Sequence, residues 1–192
     1  MAEVIRMVNE IADGNAVLVT DVGQHQMVAS RYFKFKYPNT NITSGGLGTM
    51  GFALPAAMGA KVGEKNRHVV AVIGDGGFQM TIQELGTIFQ YQIPVKIIIL
   101  NNDFLGMVRQ WQQLFFEKRY SFTEMTNPDF IMIGQGYGIK STRVSERKDL
   151  KPALDEMFAF DGPYLLEVKV EKEENVFPMV PSGDSVANIR LE

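Results

Sequence analysis

Two short apolar runs, residues 69–73 and 95–100, each end in a polar motif: Gly74-Asp75-Gly76 after the first and Asn101-Asn102 after the second. No other feature restricts the fold as strongly. Continuous Val/Ile-rich runs of this length read as strands covered on both faces. Residues 82–92 between them carry a helical apolar pattern, so the stretch closes a β-α-β unit whose strands are parallel. Both motifs then leave the sheet at one carboxyl-terminal edge, where open α/β sheets bind ligands. A carboxylate from Asp75 and an amide oxygen from Asn102 lie beside glycines with accessible backbone N–H groups. That set suits a hard cation holding a diphosphate.

The remaining chain continues the alternation. Val4, Ile5, Val8 and Ile11 recur at helical spacing, and Asp13-Gly14-Asn15 supplies a stop. Residues 16–20 read as a short buried strand, 26–33 as a helix, 41–44 as a short polar strand and 52–62 as a helix rich in small residues. Residues 106–116 form an aromatic, amphipathic helix. Asn127-Pro128 opens another helix toward Gln135, with Pro128 in its first turn. Residues 139–144 and 164–170 are strands, separated by a helix with Leu150, Leu154, Met157 and Phe158 on its inner face. Beyond Glu171 the chain is charged and then irregular. The expected fold is α/β, one doubly wound, mostly parallel six-stranded sheet with helices on both faces.

Composition narrows the function. The chain has 192 residues, 45% of them hydrophobic, enough for one domain with its own core. A formal net charge of −3 without a basic run argues against a nucleic-acid partner. No apolar run approaches the about 20 residues needed to span a bilayer. The absence of cysteine excludes disulfides and thiolate metal sites. With Glu3 and Glu10 in an amphipathic N-terminal pattern rather than a signal peptide, the expectation is a cytoplasmic domain without membrane contact.

Gly46-Leu47-Gly48-Thr49-Met50-Gly51 satisfies the letter of GxGxxG and precedes a helix. A dinucleotide site also requires a strong strand before the glycines, and residues 41–44 are weak, although Asp75 does end the next strand. A nicotinamide or flavin site would leave Gly74, Gly76, Asn101 and Asn102 unexplained. Each motif also has a purely structural reading: a glycine turn, Asp75 as a helix cap, an Asx turn at Asn101-Asn102. Their pairing at neighbouring strand ends, with Gly23-Gln24-His25 at a third, favours a site.

Taken together, Gly74-Asp75-Gly76 and, one β-α-β unit later, Asn101-Asn102 resemble the thiamine-diphosphate signature. Four further segments narrow the resemblance to the catalytic large subunit of the acetolactate synthase (acetohydroxyacid synthase) family. They are Asp21-Val22-Gly23-Gln24-His25-Gln26-Met27, Ser44-Gly45-Gly46-Leu47-Gly48-Thr49-Met50-Gly51, Gly106-Met107-Val108-Arg109-Gln110-Trp111-Gln112 and Asn127-Pro128-Asp129-Phe130. The likeness extends over about residues 17–180.

The resemblance implies that Asp75 and Asn102 bind magnesium through side-chain oxygens and Phe104 through its backbone carbonyl. It implies that Gly23, Gln24, His25, Gly48, Gly74, Gly76 and Gly77 serve the cofactor's diphosphate end. Met50 would support the bent cofactor between its rings, with Met80 beside it. Met107, Arg109 and Trp111 would line or brace the substrate channel. The implied reaction decarboxylates pyruvate and joins the two-carbon unit to a second 2-ketoacid, pyruvate or 2-ketobutyrate, in branched-chain amino acid synthesis. Residues 1–170 would be the diphosphate- and magnesium-binding domain and 171–192 a C-terminal arm. The family's pyrimidine-binding domain, with its activating glutamate, and its FAD-binding domain match nothing here, so no catalytic residue is assigned and the chain alone is expected to be inactive. A homodimer and a regulatory small subunit are the implied partners. Other readings stay open: the diphosphate-binding subunit of a split 2-ketoacid decarboxylase, or a non-catalytic binding module.

Overall fold

The computed structural model describes residues 1–191. Six strands, β1 (Val17–Thr20), β2 (Asn41–Thr43), β3 (Val69–Gly74), β4 (Lys96–Asn101), β5 (Lys140–Val144) and β6 (Tyr164–Lys169), form one sheet in the order β2-β1-β3-β4-β6-β5. Every pairing is parallel, so the sheet is entirely rather than mostly parallel. The chain leaves β1 for β2 on one side and returns to place β3 on the other. The strand order therefore reverses between β1 and β3, and the crevice at their carboxyl ends is the place where such sheets take ligands.

Alternation along each strand builds two cores. Val70, Val72, Ile98, Leu100, Leu166 and Val168 face one side, beneath α1 (Ala2–Ala12), α2 (Gln24–Tyr32) and α8 (Arg147–Ala159). Ala71, Ile73, Ile97, Ile99 and Leu165 face the other, beneath α3 (Ala53–Gly63), α5 (Glu84–Tyr91) and α7 (Phe130–Gly136). Ile73, Ile97 and Ile99 have no solvent exposure, and each such side chain contributes about 1.5–3 kcal/mol of burial free energy.

Two local readings change. A one-and-a-half-turn helix, α4 (Asp75–Met80), directly follows β3; its Gly76-Gly77 pair masks it, because glycine is among the weakest helix formers. Helix α7 starts at Phe130 rather than at Pro128. Its cap is Asp129, whose carboxylate accepts from Ile131 N and Met132 N. The small-residue helix α3 buries Ala53, Leu54, Ala57 and Met58 against the sheet, so its small residues serve close packing here. Helix α6 (Gly106–Phe115) belongs to neither core. Its buried side chains are Arg109 and Gln110, which bond to residues 174–179.

Candidate cofactor-binding site

Three strand ends supply the site. After β1, buried Asp21 accepts from Val22 N at 2.7 Å, from Gly51 N at 3.0 Å and from Ala53 N at 3.2 Å. Its carboxylate thus satisfies the amides that open α3. Those amides would have to hold the pyrophosphate in the dinucleotide reading, so the structure opposes that reading. Gly23 follows with φ 150°, and α2 brings Gln24 and His25 to the crevice. The imidazole of His25 packs between Gly23 and Gly74: a Cβ on either would come within 2.8 Å and 3.0 Å of its Cε1. Burial pushes the His25 pKa down to about 4 against the opposing pull of Asp21, so the ring is neutral at pH 7. Its Nε2 is buried without a hydrogen-bond partner, a state that calls for a ligand.

After β3, Asp75 opens α4 and is almost fully buried. Burial raises its pKa to about 6, with the Asn127 and Gly76 hydrogen bonds acting against that and the neighbouring Asp103 reinforcing it. Gly76 and Gly77 are crowded: a Cβ on the first would lie 2.7 Å from Leu105 Cδ2, and on the second 2.9 Å from Asp21 Oδ1.

After β4, the two asparagines diverge. Asn101 turns from the cavity, donating to Glu167 Oε1 at 2.7 Å and accepting from Asp103 N at 3.0 Å. Asn102 lines the cavity, donating to Gln24 Oε1 at 3.4 Å and accepting from Phe104 N at 3.3 Å. The carbonyls flanking Phe104 are engaged, that of Asp103 by Met125 N at 2.8 Å and that of Leu105 by Arg109 N at 2.9 Å.

These groups meet in one cavity at the β1/β3 reversal. It is lined by Gly23, Gln24, His25, Met50, Gly74, Asp75, Gly76, Gly77, Asn102, Phe104 and Met107, together with Met1, Val22, Leu100, Leu105, Gly106 and Val108. Four predicted residues lie elsewhere. Gly48 sits in an exposed turn with open space around it, and Met80 is 54% exposed on the far side of α4. Arg109 is buried but braces the C-terminal segment through Glu174 O at 3.1 Å and Asn175 Oδ1 at 2.7 Å. Trp111 packs on Phe115 with ring centroids 4.7 Å apart and lines a separate groove with Met107, Met179 and Val180. Met107 borders both spaces.

Two residues without a role in the sequence reading matter here. Asp21 holds the glycine-rich loop. Gln110, fully buried, takes Gln24 Nε2 and Val176 N, each at 2.9 Å, and donates to Val176 O at 3.2 Å. Nothing in the pattern of an amphipathic helix marks a glutamine as its buried face.

The donor set fits magnesium. Among the described residues no group of three or more His, Cys, Asp or Glu side chains could hold a metal. The Asp75 carboxylate and the Asn102 amide oxygen, on one cavity wall, would leave coordination positions for phosphate oxygens and water, as magnesium prefers. Fold and cavity thus define a doubly wound α/β domain with a polar crevice at the strand-order reversal. A family model described as thiamine pyrophosphate enzyme, C-terminal TPP binding domain, matches residues 21–168, and the chain belongs to that family.

Among curated relatives, the chain is 50% identical over 182 residues to the acetolactate synthase isozyme 2 large subunit of Escherichia coli (strain K12), covering 94% of this chain and 33% of that protein. It is 46% identical over 182 residues to the acetolactate synthase large subunit of Lactococcus lactis subsp. lactis (strain IL1403), covering 94% and 32%. To the mitochondrial acetolactate synthase of Schizosaccharomyces pombe it is 46% identical over 184 residues, covering 96% and 27%. The chain spans between about a quarter and a third of the length of these relatives.

Proposed function

We propose that this chain is the thiamine-diphosphate- and magnesium-binding domain of an acetolactate synthase catalytic subunit. The observation that carries the reading is one cavity, at the β1/β3 reversal, containing Asp75, Asn102, the Phe104 residue and the unpartnered Nε2 of a neutral His25. Asp75, Asn102 and the Phe104 carbonyl hold Mg2+. His25, with the backbone of Gln24, Gly76 and Gly77, takes the diphosphate oxygens, while the Gln24 side chain is held by Gln110 and Glu174; Gly23 and Gly74 leave room for the His25 ring. Met50 supports the cofactor's body.

When bound, thiamine diphosphate supplies the electron sink for decarboxylating pyruvate and passing the two-carbon unit to pyruvate or 2-ketobutyrate. Met107 and Trp111 shape the acceptor's approach, and Arg109 with Gln110 holds residues 171–191 as an arm on the 1–170 domain. A homodimer, an FAD-binding domain elsewhere in a longer chain, a regulatory small subunit and a cytoplasmic setting belong to the same reading.

Calorimetric titration with thiamine diphosphate, in Mg2+ and then in EDTA, tests it on the wild type and Asp75→Ala. Heat that requires both Mg2+ and Asp75 is the expected result. Identical titrations of the two proteins, or none at millimolar cofactor, would refute the assignment.

A further inference from the structure

Asn127 lies outside the cavity, in the loop before α7. Its side chain is nevertheless the meeting point of the polar groups behind Asp75. Nδ2 lies 2.7 Å from Asp75 Oδ2, 3.0 Å from Asp103 Oδ1 and 3.2 Å from Asn101 Oδ1. Its Oδ1 accepts from Gln79 Nε2 at 2.9 Å, and Gln79, one turn beyond Asp75 on α4, also donates to the Asp75 carbonyl at 3.3 Å. These partners fix which way the amide points. Reversed, it would set an oxygen against three acceptor oxygens and an NH2 against a donor.

The loop carrying Asn127 is anchored in turn. Asp129 caps α7 and pairs with Arg143 at 2.9 Å; Arg143 pairs with buried Glu167 at 2.6 Å; Glu167 accepts from Asn101 at 2.7 Å. The ring closes at Asn127, joining α7, β5, β6 and β4 to the end of β3. A polar circuit this fully satisfied holds its members in one arrangement.

We propose that Asn127 is a positioning residue for the metal ligand Asp75: it holds Oδ2 and leaves Oδ1 to the cation. The inference rests on the cofactor reading above. Magnesium tolerates little departure from octahedral geometry, and partners that hydrogen-bond a ligating carboxylate set its orientation. Asn127 also places an NH2 group between Asp75 and Asp103, two carboxylates that would otherwise repel each other apart. If Asn127 only fastened its loop to α4, its removal would lower stability and leave metal uptake unchanged.

The test uses Mn2+ as a spectroscopic stand-in for Mg2+. The chain, as wild type, Asp75→Ala, Asn127→Ala and Asn127→Leu, is titrated with Mn2+ at saturating thiamine diphosphate, and bound metal is read by electron paramagnetic resonance. Urea unfolding in EDTA gives the stability of each variant. Asn127→Leu keeps the heavy-atom count and branching of the side chain without its hydrogen bonds, and serves as the second variant if the alanine does not fold. Both Asn127 variants are expected to bind Mn2+ about 10- to 100-fold more weakly than wild type, with an altered spectrum of the metal that remains bound. Asn127 variants that bind within about twofold of wild type, while Asp75→Ala does not bind, would overturn the inference alone. Indistinguishable Mn2+ uptake by wild type and Asp75→Ala would overturn the cofactor reading and the inference with it.

Discussion

Replacing Asp75 by Asn should stabilise the metal-free chain while abolishing the proposed metal site. In the native state burial moves the Asp75 carboxyl from an ordinary 3.8 to about 6. In the unfolded chain the group titrates near its ordinary value. The folded state therefore binds the proton more tightly, and the resulting stability is fully present below pH 3.8 and lost as the pH rises through 6. At pH 8 the native chain carries the full cost of a buried carboxylate, about 3 kcal/mol for this displacement. An asparagine removes the charge, and its Oδ1 still accepts from Asn127. The expected gain is about 1–3 kcal/mol at pH 8 and about 2 kcal/mol smaller at pH 4.5. Urea unfolding of wild type and Asp75→Asn in EDTA at both pH values measures it, with the calorimetric titration run in parallel. A variant less stable than wild type at pH 8, or one shifted equally at the two pH values, would refute the argument. The same burial makes cation binding weaken below pH 6, since the site must first lose its proton.

His25 predicts the opposite pH trend. With a native pKa of about 4 against an ordinary 6.5, its contribution is fully present above pH 6.5 and is lost as the pH falls toward 4, by up to about 3 kcal/mol. His25→Gln should flatten that acid limb, and a limb of unchanged steepness would exclude His25 as its source. Gly77→Ala brings a Cβ to 2.9 Å from Asp21 Oδ1, a carboxylate fixed by three backbone N–H groups. A loss of about 1–3 kcal/mol is expected despite alanine's better helix propensity, and an unshifted urea midpoint would show that the loop yields. Gln110→Ala leaves Gln24 and both backbone groups of Val176 short of partners, costing about 1–3 kcal/mol. Trypsin should then cut faster at Lys172, whereas an unchanged cleavage rate would mean that Arg109 suffices to hold the arm.

The alternation of strands and helices apart from α4, the parallel sheet and the meeting of Asp75 with Asn102 were legible in the sequence. Each rests on apolar periodicity and on polar motifs adjoining the runs. Val69 to Ile73 alternate between two cores as the pleat requires. Once two strands are parallel and neighbouring, their ends must share an edge. Gly74-Asp75-Gly76 and Asn101-Asn102 needed only that topology to define a site.

Side-chain direction and distant partners were not legible. Met80 stands one turn from the cofactor motif yet faces solvent, because α4 begins at Asp75 and rotates it outward. Arg109 sits inside the segment expected to line a substrate channel, yet it turns to Asn175. Asp21 fills the helix terminus that the glycine-rich segment advertised as a phosphate site. Asn127 lies 52 residues from Asp75 in the chain, and Gln110 lies 86 from Gln24. Periodicity reports which face of an element is apolar. A hydrogen bond depends on where two polar atoms arrive after every element has packed, and only the tertiary structure decides that.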